Sequence, residues 1–389
     1  MNITLFAQII QMFDRISFKK IVDQFQSDKH SKGINSWSHM VSMVFCHFAH
    51  AKSLREISNG LRTATGNLNH LGMQKGPCKS SLSYINQHRD WRIFRDYYFT
   101  LLAHLRREVP FQRIKFKTKV KKILILDATV ISLCLSVFDW AKYRQTKGAI
   151  KLHMLLDYDG CLPVFMHMTE GNVSDVRVAQ QLKLPKDSLV IMDRAYMDFD
   201  MLNTWHKKGV NFVIRLKKNV KYKRVRELPL TDDSKQNILI DELITLDPYN
   251  SGVKYHEKLR RTVVWSDTYE SYIEILTNQL TWTAETIAEL YKERWQIETF
   301  FKALKQLTKI KTFVGTSPNA VLIQIWTALI TIMVLKYLKQ MAKYNWSLSN
   351  LVALLKMNLF VKNNLQVWLD YPFENWDPPP KSGQLTLRW

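Results

Sequence analysis

The sequence has little cysteine, no long uninterrupted apolar segment and few acidic residues for its size. The four cysteines (Cys46, Cys78, Cys134 and Cys161) follow no CxxC or Cys/His ligand spacing, so neither a zinc site nor a disulfide framework is expected. The apolar stretch 320–335 is short and contains polar residues, so we expect a buried helix there and no membrane span. The amino-terminal segment lacks the basic region and the cleavage site of a secretory leader. A reduced, cytoplasmic protein without a membrane partner is therefore predicted.

The composition indicates a packed globular protein with an anionic partner. The chain has 389 residues, of which 46% are hydrophobic and 12% aromatic, enough for two or three domains with a sizeable core. Lys and Arg total 56 against 34 Asp and Glu, which gives a net charge of +22 and a pI near 9.7. Such a charge favours a polyanion, and without a membrane anchor it favours nucleic acid.

Residues 1–112 are predicted to form an all-α amino-terminal domain, because their apolar side chains recur at helical spacing. Two of these helices could form a helix-turn-helix, although an ordinary helical bundle is the alternative, since such helix pairs are common. The recognition end of that motif would carry Lys79, Ser80, Ser81, Ser83 and Asn86. The basic segment 113–122 that follows is either an extended contact to phosphates or a solvated domain boundary.

Two aspartates each follow a continuous apolar run that predicts a strand buried on both faces. Asp127 follows residues 123–126, and Asp193 follows residues 189–192. A carboxylate at the end of a buried strand costs several kcal/mol unless a partner or a metal compensates its charge. Asp157 and Asp159 border a predicted Asp-Gly hairpin turn instead, and we interpret them as turn residues.

The order of elements between residues 119 and 216 predicts a mixed-sheet α/β core. A three-stranded meander is followed by helix, strand, helix and strand, which is the order of a ribonuclease-H-like fold. Residues 217–282 are predicted to form a β-rich insertion. The core then resumes over 283–343 and ends in a helical tail over 344–389.

One long amphipathic helix is predicted over 283–313, with Thr283 as its N-cap. Tyr291, Arg294, Glu298 and Lys305 fall within an arc of about 60° at roughly 100° per residue, so they share one face. The alternative is that Arg294 and Glu298 form an ordinary exposed i,i+4 ion pair, which would account for two of these four residues without a functional site.

The spacing of these four residues resembles the YREK signature of bacterial insertion-sequence-4-type DDE transposases. The sequence DRAY at Asp193 is similar to a second motif of that family, and the resemblance covers residues 119 to about 335. It implies that Asp127, Asp193 and Glu298 are the catalytic carboxylates and hold two Mg²⁺ or Mn²⁺ ions. The chemistry agrees, because convergent carboxylates need a cation between them and oxygen ligands suit hard divalent ions.

The resemblance also implies a DNA-binding face. Tyr291, Arg294 and Lys305 would bind phosphates of the transposon end, and Trp295 would stack on an unstacked base, unless it packs in the core. Two tryptophans of the insertion, Trp265 and Trp282, are weaker candidates for that stacking. The segments FKKIVDQFQSDKH and SLREIS resemble the amino-terminal region of one branch of the family, which supports end binding there.

The function implied is metal-dependent cut-and-paste transposition of an insertion sequence. The implied partners are double-stranded DNA (terminal inverted repeats and target DNA) and a second copy of the chain, as a homodimer on paired ends. The implied location is the cytoplasm, on nucleoid DNA. Two alternatives stay open: a catalytically silent or domesticated DNA-binding protein, and a nuclease that cleaves without joining.

Overall fold

A computed structural model describes residues 3–373 of the chain with short gaps. The gaps are 32, 65, 110–115, 117–119, 135, 145–146, 231–236, 247–254, 268–269, 308–309 and 311. Most of the predicted basic segment 113–122 and the proline-rich end of the tail lie outside the described residues.

The first third of the described chain folds into helices. They are α1 (Leu5–Gln11), α2 (Arg15–Gln24), α3 (Ser36–Phe48), α4 (Leu54–Thr63), a 3-10 turn (Asn69–Leu71), α5 (Lys79–His88) and α6 (Arg92–Glu108). Side chains of Thr4, Asp14, Asn35 and Ser53 accept hydrogen bonds from backbone N–H groups of the first turns that follow them. These caps fix where α1 to α4 begin, because the first N–H groups of a helix have no partner within the helix.

The strands of the described chain form one ten-stranded mixed sheet. In chain order the elements are β1 (Lys122–Leu133), β2 (Lys142–Arg144), β3 (Lys147–Asp157), β4 (Leu162–Glu170), α7 (Asp175–Ala179), β5 (Ser188–Met192), a 3-10 turn (Arg194–Tyr196), α8 (Phe199–Lys207), β6 (Asn211–Arg215), β7 (Tyr222–Glu227), β8 (Ile238–Leu246), β9 (Leu259–Ser266) and β10 (Ser271–Thr277). The order across the sheet is β2-β3-β1-β5-β6-β10-β9-β8-β7, and β4 pairs with β3. The pairs β1–β5 and β5–β6 are parallel, and the other pairs are antiparallel.

The predicted meander, hairpin and crossover order is present, with two differences. A short additional strand, β2, precedes β3. Asp127 was expected to end the first strand, but β1 continues to Leu133, because β3 goes on pairing with it after the parallel pairing with β5 stops at Leu126. The strands over 217–282 are not set apart from this sheet, since β10 pairs with β6.

The final helices are α9 (Ala284–Lys292), α10 (Trp295–Leu307), α11 (Pro318–Met341), α12 (Leu348–Asn358) and α13 (Leu365–Asp370). Thr283 caps α9 as predicted, since its hydroxyl accepts from the N–H of Thr286 at 3.2 Å. The prediction of a single long helix is wrong: the chain turns at Glu293 and Arg294. Backbone bonds there join residues three apart, such as Arg294 N–H to Tyr291 C=O at 3.1 Å, which tightens the turn and separates two helices.

The apolar helix α11 is buried as predicted. Its length and composition would suffice for a membrane span, yet 89% of its most apolar window is buried inside the protein. It belongs to a large apolar cluster that also contains residues of α1 to α6, α10 and α12, here named the helical core. Asn319 ties α11 to the α5–α6 connection by donating to the carbonyls of Asn86 at 2.9 Å and Arg89 at 2.7 Å. The amino-terminal helices therefore pack on the later helices and share their core.

Candidate functional site

Asp127 and Asp193 lie side by side at the carboxyl ends of two parallel strands. In the β1–β5 pairing Leu126 is opposite Met192, so each aspartate is the next residue along its strand. Asp193 keeps an extended backbone (φ −79°, ψ 163°) and caps the 3-10 turn that follows it, accepting from Ala195 N–H at 3.0 Å. The DRAY sequence therefore places the second carboxylate directly after β5.

Both aspartates point to the face of the sheet that carries α9 and α10. Alternate residues of a strand point to the same face, so Asp127 shares the face of Ile125, which packs in the helical core together with Ile297 of α10. Asp193 likewise shares the face of Ile191, which packs in a cluster with residues of α9. Helix α10 also packs on β1, and this brings Glu298 to the same place.

Arg294 connects the helix turn to the carboxylates. Its guanidinium lies 2.6 Å from Glu298 Oε1 and 3.7 Å from Asp127 Oδ2, and its side chain is only 3% exposed. The turn at Glu293 and Arg294 is fixed from the other side, because the Tyr158 hydroxyl donates to Glu293 Oε2 at 2.8 Å. The expected ion pair between Arg294 and Glu298 is present, but it lies inside the site and not on a solvated face.

The remaining residues of the predicted helix face are placed differently from one another. Tyr291 is buried at 4% exposure in the cluster under α9, beneath the guanidinium of Arg294. Trp295 is 38% exposed and its ring lies 5.4 Å from that guanidinium, so it covers the arginine and is not in the core. Lys305 is partly exposed and donates to the carbonyl of Val130 at 3.1 Å.

An open cleft of about 440 Å³ exposes the site to solvent. Its lining includes Asp127, Thr129, Glu298, Lys302 and Lys305. Sequence reasoning missed Lys302, although its position one helical turn after Glu298 was a usable signal. It also missed Arg215, which follows Ile214 at the end of β6, and Ile214 is opposite Met192. Arg215 is therefore beside Asp193 on the next parallel strand.

The local electrostatics favour a cation at the carboxylates. Burial is the main cause that raises the pKa of Asp127 from 3.8 to about 6, and the charges of Asp193 and Glu298 raise it further. The Ala128 N–H and Arg294 act in the opposite direction and do not compensate fully. Negative charge here is thus under-compensated, and oxygen donors suit Mg²⁺ or Mn²⁺.

As placed, the carboxylates do not converge on one point. In the part of the chain that the structure describes, no group of three or more His, Cys, Asp or Glu side chains is arranged to hold a metal ion. Glu298 is directed to Arg294, so its carboxylate would have to leave that contact to join Asp127 and Asp193. The donor set fits a divalent ion in its chemistry, with the two aspartates as the pair already side by side.

The predicted tryptophans of the insertion pack against other residues. Trp265 is 42% exposed on β9 and packs edge-on against Tyr272 of β10, with ring centroids 5.2 Å apart. Trp282 is half-buried, against the apolar cluster under α9. The structure therefore gives Trp295, and not these two, the position beside Arg294.

Two protein-family models match parts of this chain. Residues 118–334 match a family model described as a transposase DDE domain, and residues 1–74 match one described as a domain of unknown function (DUF4372).

Curated relatives match about three fifths to two thirds of the chain. One is described as a probable transposase for insertion sequence element IS5377 of Geobacillus stearothermophilus, 29% identical over 59% of this chain and 60% of that protein. Another is a putative transposase for insertion sequence element IS4SA of Synechocystis, 25% identical over 67% of this chain and 71% of that protein. The match thus spans about 60% of the length of the first of these relatives.

A solved structure of piggyBac transposase in a synaptic complex with hairpin DNA is also similar. Its TM-score is 0.41 at 10% identity, over 96% of this chain and 85% of that one. A similarity at that level carries no argument here.

Proposed function

Because the transposase DDE domain model covers more than half of it, the chain belongs to the DDE transposase family, and we propose that it cuts and joins DNA as an insertion-sequence transposase. The observation that carries the proposal is the placement of Asp127 and Asp193 side by side, on the sheet face where α10 presents Glu298. The proposed subtype is the insertion-sequence-4 type with the YREK signature, on a ribonuclease-H-like core.

The proposed catalytic residues are Asp127, Asp193 and Glu298. DDE transposases generally use divalent metal ions, and these three carboxylates would hold two Mg²⁺ or Mn²⁺ ions. Such ions activate an attacking oxygen and stabilise a leaving oxygen in phosphodiester displacement. For all three carboxylates to hold the ions, Glu298 would first leave Arg294 and turn toward the two aspartates.

Release of Glu298 would free Arg294 for DNA. A guanidinium binds phosphate oxygens in a bidentate way, and Lys302 and Lys305 border the same cleft as point charges. Tyr291 is buried, so it would not contact DNA directly and would instead support the guanidinium of Arg294. Trp295, exposed beside Arg294, offers an apolar ring on which a base could stack.

The proposed substrates are the terminal inverted repeats and the target duplex, engaged by a homodimer on paired ends in the bacterial cytoplasm. The amino-terminal helical segment, proposed as the domain 1–112, would bind the transposon end. Domain limits at 119–216, 217–282, 283–343 and 344–389 remain our proposal for the rest of the chain.

Cleavage of a labelled duplex carrying the element's own end tests this proposal. Wild type, Asp193→Asn and Glu298→Gln are compared in Mg²⁺ or Mn²⁺, with Asp187→Asn as the control at the opposite end of β5. We expect metal-dependent nicking in wild type and control, loss of about a hundredfold or more in both site variants, and unchanged DNA binding in EDTA.

The same reactions distinguish the alternatives. Joining of the cleaved 3′ end to a second duplex identifies a transposase, whereas cleavage without joining identifies a nuclease. Binding without nicking by the wild type identifies a silent DNA-binding protein. Nicking that survives in both site variants contradicts the assignment of the carboxylates.

A further inference from the structure

The edge strand β7 and the connection that leads to it from β6 are strongly basic, and together they are here named the basic strand. We define it as residues 217–226, which comprise the β6–β7 connection and most of β7. Its six cations are all exposed: Lys217, Lys218, Lys221, Lys223, Arg224 and Arg226. Within 217–227 the only acidic residue is Glu227, which lies 3.5 Å from Arg224. The basic strand therefore presents a concentrated positive charge.

The basic strand is anchored beside the turn that follows Asp193. Lys217 Nζ donates to the carbonyl of Met197 at 3.2 Å. Val220 and Tyr222 pack against the apolar cluster that contains Tyr196 and Met197. Because these two side chains point inward while the cations are exposed, the strand is held with its charge toward solvent and its start next to the 3-10 turn that follows Asp193.

Arg215 links the basic strand to the site itself. It is the last residue of β6 and lies beside Asp193, two residues before the strand begins. It shares the strand face of Val213, which packs in the cluster under α9, and hence the face of the carboxylates. Positive charge thus continues from the carboxyl end of β6, beside Asp193, into the edge strand β7.

We propose that the basic strand is a phosphate-binding surface for duplex DNA next to the scissile bond, and that it reads no base sequence. This rests on the proposed function for the identity of the polyanion. Extended backbone with lysine and arginine side chains on both sides suits a row of phosphates, and their binding releases counterions from the duplex. Because the basic strand contacts phosphates and places no helix in a groove, it would supply affinity for DNA and not sequence specificity.

The test is salt-dependent binding in EDTA of two duplexes of equal length, one with the element's end and one of unrelated sequence. The basic-strand variant changes Lys221, Lys223, Arg224 and Arg226 to Gln. The matched control changes to Gln four exposed lysines in the segments that precede β5 and β6, with the same loss of charge. These are Lys183, Lys186, Lys207 and Lys208.

We expect the slope of log affinity against log salt to fall in magnitude by up to about 3.6 in the basic-strand variant, which loses four cations at about 0.9 for each phosphate contact. Both duplexes should lose affinity to the same extent, by about tenfold or more near physiological salt. The control should stay close to wild type.

Three outcomes overturn the proposal: an unchanged slope, an equal loss in the control, or a loss for one duplex only. Cations on an edge strand can also prevent edge-to-edge pairing. A basic-strand variant that aggregates but binds DNA with the wild-type slope would show that these cations prevent edge-to-edge pairing and do not bind phosphates. Metal-dependent nicking by the wild type is measured separately, so failure of the proposed chemistry and failure of the DNA surface give different results.

Discussion

Replacing Asp127 by Asn should stabilise the metal-free protein at alkaline pH. The side chain is 21% exposed, and burial is the main cause that raises its pKa from 3.8 to about 6. A carboxyl group whose folded pKa is raised favours folding less as pH rises: the penalty is absent below about 3.8 and complete above about 6. At about 1.4 kcal/mol per pKa unit, the penalty for the ionised aspartate is about 3 kcal/mol.

The amide keeps the local geometry and removes the charge. Asp127 Oδ1 accepts from Ala128 N–H at 2.8 Å, and the amide oxygen of Asn can accept the same bond. Urea denaturation in EDTA between pH 4 and 8.5 measures the effect, with Asp200→Asn as the control for loss of an exposed charge on α8. We expect Asp127→Asn to be more stable than wild type by up to about 3 kcal/mol at pH 8 and close to wild type near pH 4.

A stability difference that does not change with pH would refute this reasoning, as would a less stable Asn variant at pH 8. Addition of Mg²⁺ at pH 8 gives an independent check. A ligand that binds only the folded state stabilises it, so wild type should gain stability from the ion and Asp127→Asn should gain much less, while its nicking is lost.

Two further substitutions test the contacts around the site. Arg294→Gln removes the positive charge that lowers the pKa of Asp127, so this pKa should rise further. In the same denaturation series the variant should therefore lose more stability at pH 8 than at pH 4. Equal losses at the two pH values would contradict the assigned contact. Asn319→Ala removes the bonds to the Asn86 and Arg89 carbonyls and should cost about 2 kcal/mol in the free energy of unfolding, whereas a change below about 0.5 kcal/mol would mean that the α5–α6 connection is held by apolar packing alone.

Local patterns were sufficient for much of the site. The apolar runs before Asp127 and Asp193 predicted buried strands, and both carboxylates lie where the parallel pairing of β1 and β5 ends. Thr283 caps α9 and the apolar stretch 320–335 lies in a buried helix. These features depend on residues near one another in the chain, through strand alternation, capping and burial, so the sequence alone determined them.

Tertiary contacts decided the rest. The break between α9 and α10 places Arg294 inside the site, and it is held by Tyr158, 135 residues away, through Glu293. The long β1, the continuation of the sheet into β7 to β10, and the core shared by the first and last helices also depend on partners distant in sequence. Helical periodicity gives the face of a helix but not the point where a distant hydrogen bond turns the chain. The sequence by itself therefore predicted the carboxylates that we propose for the chemistry and the i,i+4 pair of Arg294 with Glu298. Only the tertiary structure decided that this pair is buried beside Asp127, because that position depends on the turn and on the packing of α10 against β1.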